Sequence, residues 1–138
     1  MALMLDESAV QALIRGGLPV AERIGLLVEA VREHYARVRL PFDASMLRPG
    51  GVLSGPVQFT AVDAAMYALV LSHLGPELMA VTSDVNIRFL AKAAPGDVLA
   101  EAELLKLGRR QLVMQVRVTS SADPSRVVAQ ATGTYVRP

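Results

Sequence analysis

The chain has 138 residues, with 14 Lys plus Arg against 13 Asp plus Glu, and it is 52% hydrophobic and 20% charged. This length suits one domain with a core of its own, so we expect a single domain over residues 1–138. The balanced charge excludes a basic nucleic-acid surface and a charged disordered tail. Cysteine is absent and only two histidines occur, which excludes a disulfide framework and thiol catalysis and argues against a metal site.

An amphipathic helix is predicted at the N-terminus. Asp6 can cap its start, apolar residues recur with a helical period, and the sequence Gly-Gly-Leu-Pro over residues 16–19 predicts its end. We therefore expect residues 1–18 to form a helical extension of the domain. The segment has no basic region followed by a continuous apolar stretch, so we expect no secretory signal and a cytoplasmic protein.

A β-hairpin is predicted over residues 24–40. Its first half is apolar from Leu26 to Val31, a polar turn follows near Arg32 and Glu33, and apolar and polar residues then alternate. Residues 41–51 contain two prolines and two glycines, so we expect a loop there.

The clearest helical pattern covers residues 56–74. Ser54 or Gly55 can serve as the N-cap, and Pro56 suits the first helical position because no amide is needed there. A Gly-Pro pair directly after the segment predicts its end. The segment is apolar nearly all round, which is typical of a helix enclosed by other structure.

A membrane-spanning interpretation of this helix fails on its content. Polar residues interrupt it, and its longest wholly apolar run, Ala64–Leu71, is far too short to cross the hydrocarbon layer. They include Gln58, Thr60, Asp63 and His73. We therefore predict a buried core helix and no membrane partner.

Four strands are predicted after the helix, and no crossover helix separates them. They cover residues 79–90, 98–107, 111–120 and 126–136, with apolar and polar residues alternating over 79–90 and 111–120. Short turns join them, so the strands should be antiparallel. The predicted fold class is α+β, with a curved antiparallel sheet of five or six strands wrapped around one long central helix.

Asp63 is the residue that the predicted helix does not explain. It lies in the apolar middle of the segment, where an ionised carboxylate is costly to bury without partners. One interpretation is a local hydrogen bond, for example to Thr60 one turn earlier. The other is a chemical role, since perturbed acids cluster at functional sites.

Short motifs follow the predicted elements in a specific order. Leu53-Ser54-Gly55-Pro56 leads into the long helix, and Ala61-Val62-Asp63 lies within it. Thr82 and Asn86-Ile87 occur in the next strand, followed by Pro-Gly-Asp at residues 95–97 and Gly-Arg-Arg at residues 108–110. Together these motifs resemble the hotdog-fold acyl-CoA thioesterases of the phenylacetate-pathway (PaaI-like) type, over roughly residues 20–137.

The resemblance implies a catalytic arrangement in which Asp63 is the nucleophile or the general base and the Gly55 amide polarises the thioester carbonyl. Thr82 would help to hold the attacking water. Asp63 lies eight residues beyond Gly55, about 12 Å along a helix axis, so one helix cannot easily bring both to one carbonyl. In the resembled family, Asp of one protomer faces Gly of the other, which implies a homodimer or homotetramer. No cofactor is implied, because coenzyme A is part of the substrate.

Two positions depart from the family pattern. The usual His before the first Gly is Ser54, and the second Gly is Pro56. Ser54 either donates a weaker hydrogen bond to the carbonyl or only caps the helix. The departure keeps an alternative open, a non-catalytic hotdog protein that binds acyl-CoA or an acyl carrier. A hydratase is less favoured, because the chain has no close Asp and His pair in the loop before the helix.

Several polar residues are candidates for substrate binding. Arg109 and Arg110, with Arg88 and Lys92, can hold the phosphates of coenzyme A, although for any one of them a solvated charge is the simpler interpretation. The resemblance adds Asn86 to the substrate-binding candidates. His73 is interpreted as a favourable charge or a cap at the helix end.

Overall fold

The computed structural model describes residues 2–138 as a six-stranded antiparallel sheet packed around one long helix, which contacts every strand of that sheet. The helices are α1 (Glu7–Gly17), α2 (Pro19–Ile24) and α3 (Gly55–Leu74). The strands are β1 (Leu27–Arg32), β2 (Tyr35–Leu40), β3 (Leu47–Arg48), β4 (Val52–Leu53), β5 (Val81–Phe89), β6 (Val98–Leu107), β7 (Gln111–Ser120) and β8 (Ala129–Val136). The sheet order is β1-β2-β6-β7-β8-β5, and β3 pairs separately with β4. The predicted α+β class is confirmed.

The N-terminal half differs from the prediction in two places. Residues 19–24 form α2, which was not predicted; Pro19 starts it, and Gly25 ends it in a left-handed conformation with φ 71°. The predicted hairpin is confirmed as β1 and β2, but it begins at Leu27 because α2 takes up the preceding residues. The predicted loop over residues 41–51 contains a 3-10 turn at Ala44–Met46 and the short strand β3.

Helix α3 has the predicted ends. The Ser54 hydroxyl accepts a hydrogen bond from the Val57 amide at 3.4 Å, and Gly75, at φ 85°, terminates the helix. The helix begins at Gly55, so Pro56 takes the second helical position and not the predicted first. Within residues 2–138, α3 is the one helix long and apolar enough to cross a membrane, but 61% of its apolar window is buried inside the protein, as in a core helix.

Strand β5 lies at one edge of the sheet and has an exposed apolar surface. Val81 is 60% exposed and Phe89 52% exposed, whereas the apolar residues of the central strand β7 at positions 112, 114, 116 and 118 are fully buried. The register of β5 with β8 shifts between Thr82 and Asp84, where Ser83 interrupts the alternation. One side of β5 has no partner strand within the part of the chain described.

The Pro-Gly-Asp turn has a structural explanation. A Cβ atom at Gly96 would lie 2.8 Å from the hydroxyls of Ser120 and Ser121, so only glycine fits. The Asp97 carboxylate accepts hydrogen bonds from the Phe42 amide and from Arg39 Nη1, both at 2.7 Å. These donors hold the pKa of Asp97 below its usual value, with the Phe42 amide as the larger cause. The turn therefore fastens β6 to the end of β2.

His73 closes the C-terminal end of α3 as a neutral side chain. It is 1% exposed, its Nδ1 lies 2.9 Å from the Leu69 carbonyl oxygen, and its Nε2 accepts the His34 amide at 2.8 Å. Burial lowers the pKa of His73 below 6.5. The predicted end charge is therefore wrong, whereas the predicted cap is consistent with the contact to Leu69.

Folding stability should depend on pH through His73. Because its pKa is lower in the folded protein, the unfolded chain binds more protons below about pH 6.5. The full contribution of His73 to folding stability is therefore present above about pH 6.5 and is lost as the pH falls towards the pKa of His73 in the folded protein. Among residues 2–138, His34 and Glu33 are the titratable residues facing this ring, and the carboxylates with lowered pKa values act in a separate, more acidic window.

Urea unfolding between neutral and mildly acidic pH measures this effect. We expect the free energy of unfolding to fall below pH 6.5 in the wild type and to change much less in His73→Gln. An equal decline in both proteins would show that another group is responsible, and an NMR titration of the imidazole would then give its actual pKa.

Candidate active site

Asp63 is held by two hydroxyl groups from the sheet. Thr82 Oγ1 donates to Asp63 Oδ1 at 2.6 Å, and the Tyr135 hydroxyl donates to the same oxygen at 2.9 Å. The predicted local bond to Thr60 is wrong, because the Thr60 hydroxyl donates to the Pro56 carbonyl at 3.0 Å. Within residues 2–138, Asp63 Oδ2 has no hydrogen bond. One carboxylate oxygen is thus fixed by two donors, and the other has no hydrogen-bond partner among the described residues.

Tyr135 is the site residue that the sequence did not reveal. Its side chain is 3% exposed, and its ring stacks on Tyr67 with the centroids 5.8 Å apart. Burial and the charge of Asp63 raise the pKa of Tyr135, so the phenol stays protonated and remains a donor. The only available signal was its polar tip, since a buried tyrosine hydroxyl usually finds a partner.

Gly55 and Ser54 form the other half of the candidate site. Gly55 is the first residue of α3, so its amide points out of the helix and has no acceptor within it. A Cβ atom at Gly55 would lie 3.2 Å from the Phe89 ring. The Ser54 hydroxyl caps the helix at the Val57 amide, which supports the capping role of the two predicted for it.

One protomer keeps these two halves apart. Asp63 contacts Thr82 near one end of β5, and Gly55 packs beside Phe89 at the other end. Along the helix the two residues are about 12 Å apart. A single carbonyl group therefore cannot contact both groups within one protomer.

The basic candidates also fall into two groups. Arg88 and Lys92 are exposed near the Gly55 end of β5, where Lys92 lines a cavity with Gly55. Arg109 and Arg110 are exposed in the turn between β6 and β7 and line a different cavity. None of the four forms an ion pair with another residue described by the structure. The structure therefore does not bring all four together in one protomer.

Two further features complete the surroundings. Asn86 is exposed near the middle of β5, opposite Thr132, and lies beside neither half of the site. Asp63 also lines a cavity of about 300 Å³ between α3 and the N-terminal helices α1 and α2.

A sequence model of the thioesterase superfamily matches residues 50–127, more than half of the chain. The chain belongs to the thioesterase superfamily. The match includes both halves of the site, apart from Tyr135. Its hotdog fold, with the sheet packed around α3, agrees with the predicted family.

Known proteins resemble this thioesterase along most of its length. A structure of a candidate thioesterase from Silicibacter sp. TM1040 is 34% identical and superposes with a TM-score of 0.89, covering 100% of this chain and 95% of that one. A mutant of the phenylacetic acid degradation protein PaaI from Thermus thermophilus is 27% identical and superposes with a TM-score of 0.75, covering 88% of this chain and 100% of that one.

Two curated relatives extend the comparison. A candidate esterase from Saccharolobus solfataricus is 31% identical over 134 residues, covering 96% of this chain and 86% of the relative. The 1,4-dihydroxy-2-naphthoyl-CoA hydrolase of Listeria monocytogenes is 23% identical over 111 residues, covering 80% of this chain and 90% of the relative.

Proposed function

We propose that this thioesterase hydrolyses acyl-CoA thioesters to a carboxylic acid and free coenzyme A. The observation that carries the proposal is the Asp63 carboxylate, anchored through one oxygen by Thr82 and Tyr135 and unpaired at the other. A distant relative named as a CoA hydrolase supports coenzyme A as the thiol. We place the activity in the cytoplasm, without a cofactor.

The proposed reaction uses Asp63 as general base or as nucleophile. As a base, its free oxygen takes a proton from water while the water oxygen attacks the carbonyl carbon. As a nucleophile, the same oxygen attacks directly, and water then hydrolyses the anhydride. In both routes the tetrahedral oxyanion accepts a hydrogen bond from the Gly55 amide, whose helix terminus favours negative charge. Collapse of this oxyanion breaks the C–S bond. In the general-base route the departing thiolate takes the proton that Asp63 removed from water; in the nucleophilic route the thiolate leaves as the anhydride forms and takes the proton released when water hydrolyses that anhydride.

We propose that a dimer completes this site. The free side of β5 can pair with β5 of a second copy, and exposed Phe59, Val81 and Phe89 surround it with apolar surface. Since Asp63 and Gly55 lie at opposite ends of β5, a two-fold axis across this strand brings each beside the partner's opposite half. Two such dimers could then pair into a tetramer.

The same two-fold axis bears on coenzyme A binding. It carries Arg88 and Lys92, from the Gly55 end of one protomer, towards Arg109 and Arg110 of the partner subunit. Four cations free of ion pairs within the described residues would then border one site, which suits the phosphates of coenzyme A. Asn86 would lie close to the axis, beside the substrate path.

Thiol release from a panel of acetyl, octanoyl, palmitoyl and phenylacetyl-CoA tests the proposed function. We expect the wild-type protein to hydrolyse at least one of these acyl-CoA substrates. The alternative, a binding protein, is favoured by the serine at position 54, which supplies no imidazole to assist the Gly55 amide. Acyl-CoA binding without thiol release would establish that alternative.

A further inference from the structure

The cavity beside Asp63 has a nearly continuous apolar wall. Helix α3 contributes Phe59, Ala64 and Tyr67, and the facing side is built from α1, α2 and the residues that flank α2. The polar groups in the lining are few. The Thr60 hydroxyl already donates to the Pro56 carbonyl, and that of Tyr67 donates to the Leu78 carbonyl. Among residues 2–138, Asp63 is thus the one acidic residue that borders an otherwise apolar space.

The outer wall belongs to the N-terminal extension. The superfamily match begins at residue 50, so α1 and α2 lie outside the matched region. They are nevertheless fixed in place: Arg15 of α1 donates to Glu22 of α2 at 2.8 and 3.2 Å, and Gln11 Oε1 accepts the Val28 amide of β1 at 2.9 Å. A wall held in this way can select a ligand by size.

We propose that this cavity is the acyl pocket and that α1 and α2 set the acyl specificity. The inference rests on the proposed function, because it is the reaction at Asp63 that places an acyl group here. An apolar cavity of about 150 Å³ already holds benzene, and this one is about 300 Å³. It therefore takes a neutral, apolar acyl group of medium size, either a medium-length aliphatic chain or an aryl group on a short linker.

The length limit is set by the boundary with a second cavity. Val20, Ile24 and Thr60 line both this cavity and a neighbouring one of about 600 Å³ that contains the polar residues Arg23 and Asp43. They stand between the two spaces. Removing the Ile24 side chain beyond Cβ should join the cavities and admit a long chain, whereas enlarging Ala64 should fill the smaller one.

Binding of non-hydrolysable thioethers tests the proposal separately from catalysis. The probes are S-ethyl, S-octyl, S-hexadecyl and S-phenethyl coenzyme A, measured by calorimetry with the dimeric or tetrameric protein. We expect the wild type to prefer the octyl or phenethyl probe, and the difference between these two decides between an aliphatic and an aryl substrate. Ala64→Leu should weaken the preferred probe by about tenfold or more and leave the ethyl probe unchanged.

Two more variants complete the design. Ile24→Ala should strengthen binding of the hexadecyl probe relative to the octyl probe. Ala12→Leu places the same added side chain on the exposed face of α1, away from the cavity, and should change no probe. Gel filtration of each variant checks that the oligomer is intact.

The outcomes separate this inference from the proposed function. If Ala64→Leu weakens all four probes alike, or none, the cavity is not the acyl pocket, even where the enzyme still releases thiol. If chain-length preference shifts as expected but no thioester is hydrolysed, the pocket stands and the hydrolytic function does not.

Discussion

Replacing Asp63 by Asn should lower kcat for thiol release from the best acyl-CoA by at least about 100-fold, the range that a positioned acid–base group supplies. Asparagine cannot take a proton from water or form an anhydride, so both proposed routes stop. The carbonyl oxygen of the new side-chain amide can still accept from Thr82 and Tyr135, which should keep the helix and strand in place. Steady-state thiol release, with acyl-CoA binding measured in parallel, separates lost chemistry from lost binding.

The matched control is Asp84→Asn. Asp84 is also an acid near the Thr82 end of β5, but it is exposed and takes no part in the hydrogen bonds that Thr82 and Tyr135 donate to Asp63. The Asp84→Asn variant should therefore retain the wild-type rate. If Asp63→Asn retained turnover within a few fold, the carboxylate would be a structural group, and the reaction would have to be carried by other residues.

The parts of the fold that could be predicted are those decided by local signals. The cap at Ser54, the Gly-Pro stop and the uninterrupted apolar content fix the limits of α3 within one residue. The Pro-Gly-Asp and Gly-Arg-Arg turns, with the alternation over residues 111–120, predicted the limits of β6 and β7 as the structure has them. Helix α2 was missed because Pro19 fits two interpretations, the end of one helix and the first residue of another.

From the residues alone the site could be predicted only at Asp63, whereas Gly55 and Thr82 were predicted from the motifs that resemble a known family. Asp63 stands out because a carboxylate is costly among apolar residues. Tyr135 does not, since tyrosine is an ordinary strand residue and its partner lies 72 positions away in the sequence. Spacing along the chain likewise could not reveal that Arg88 and Arg109 lie apart in one protomer, because that depends on how the strands pair.

Removing the Gly55 amide should also stop turnover. Proline at position 55 has no N–H, is tolerated at the start of a helix, and follows a residue whose φ of −74° and ψ of 155° already suit a proline after it. We expect Gly55→Pro to lower kcat by about 100-fold or more, as for the loss of one oxyanion donor. Gly55→Ala is the control, because it adds the same Cβ against the 52% exposed Phe89 ring but keeps the N–H. Equal losses in both variants would indicate crowding and not a missing donor.

Mixing the two inactive variants tests where the site is built. In a dimer of one Asp63→Asn chain and one Gly55→Pro chain, one site would combine the intact Asp63 with the intact Gly55 from the other chain, and the second site would lack both. Random reassociation makes half of the dimers mixed, each with one working site of two, so activity should return to about a quarter of the wild-type value. A site contained within one protomer would give no recovery, because every chain in the mixture would carry one defect. Recovery therefore requires that each active site draw its acid from one subunit and its amide from the other, which makes assembly a condition of the chemistry.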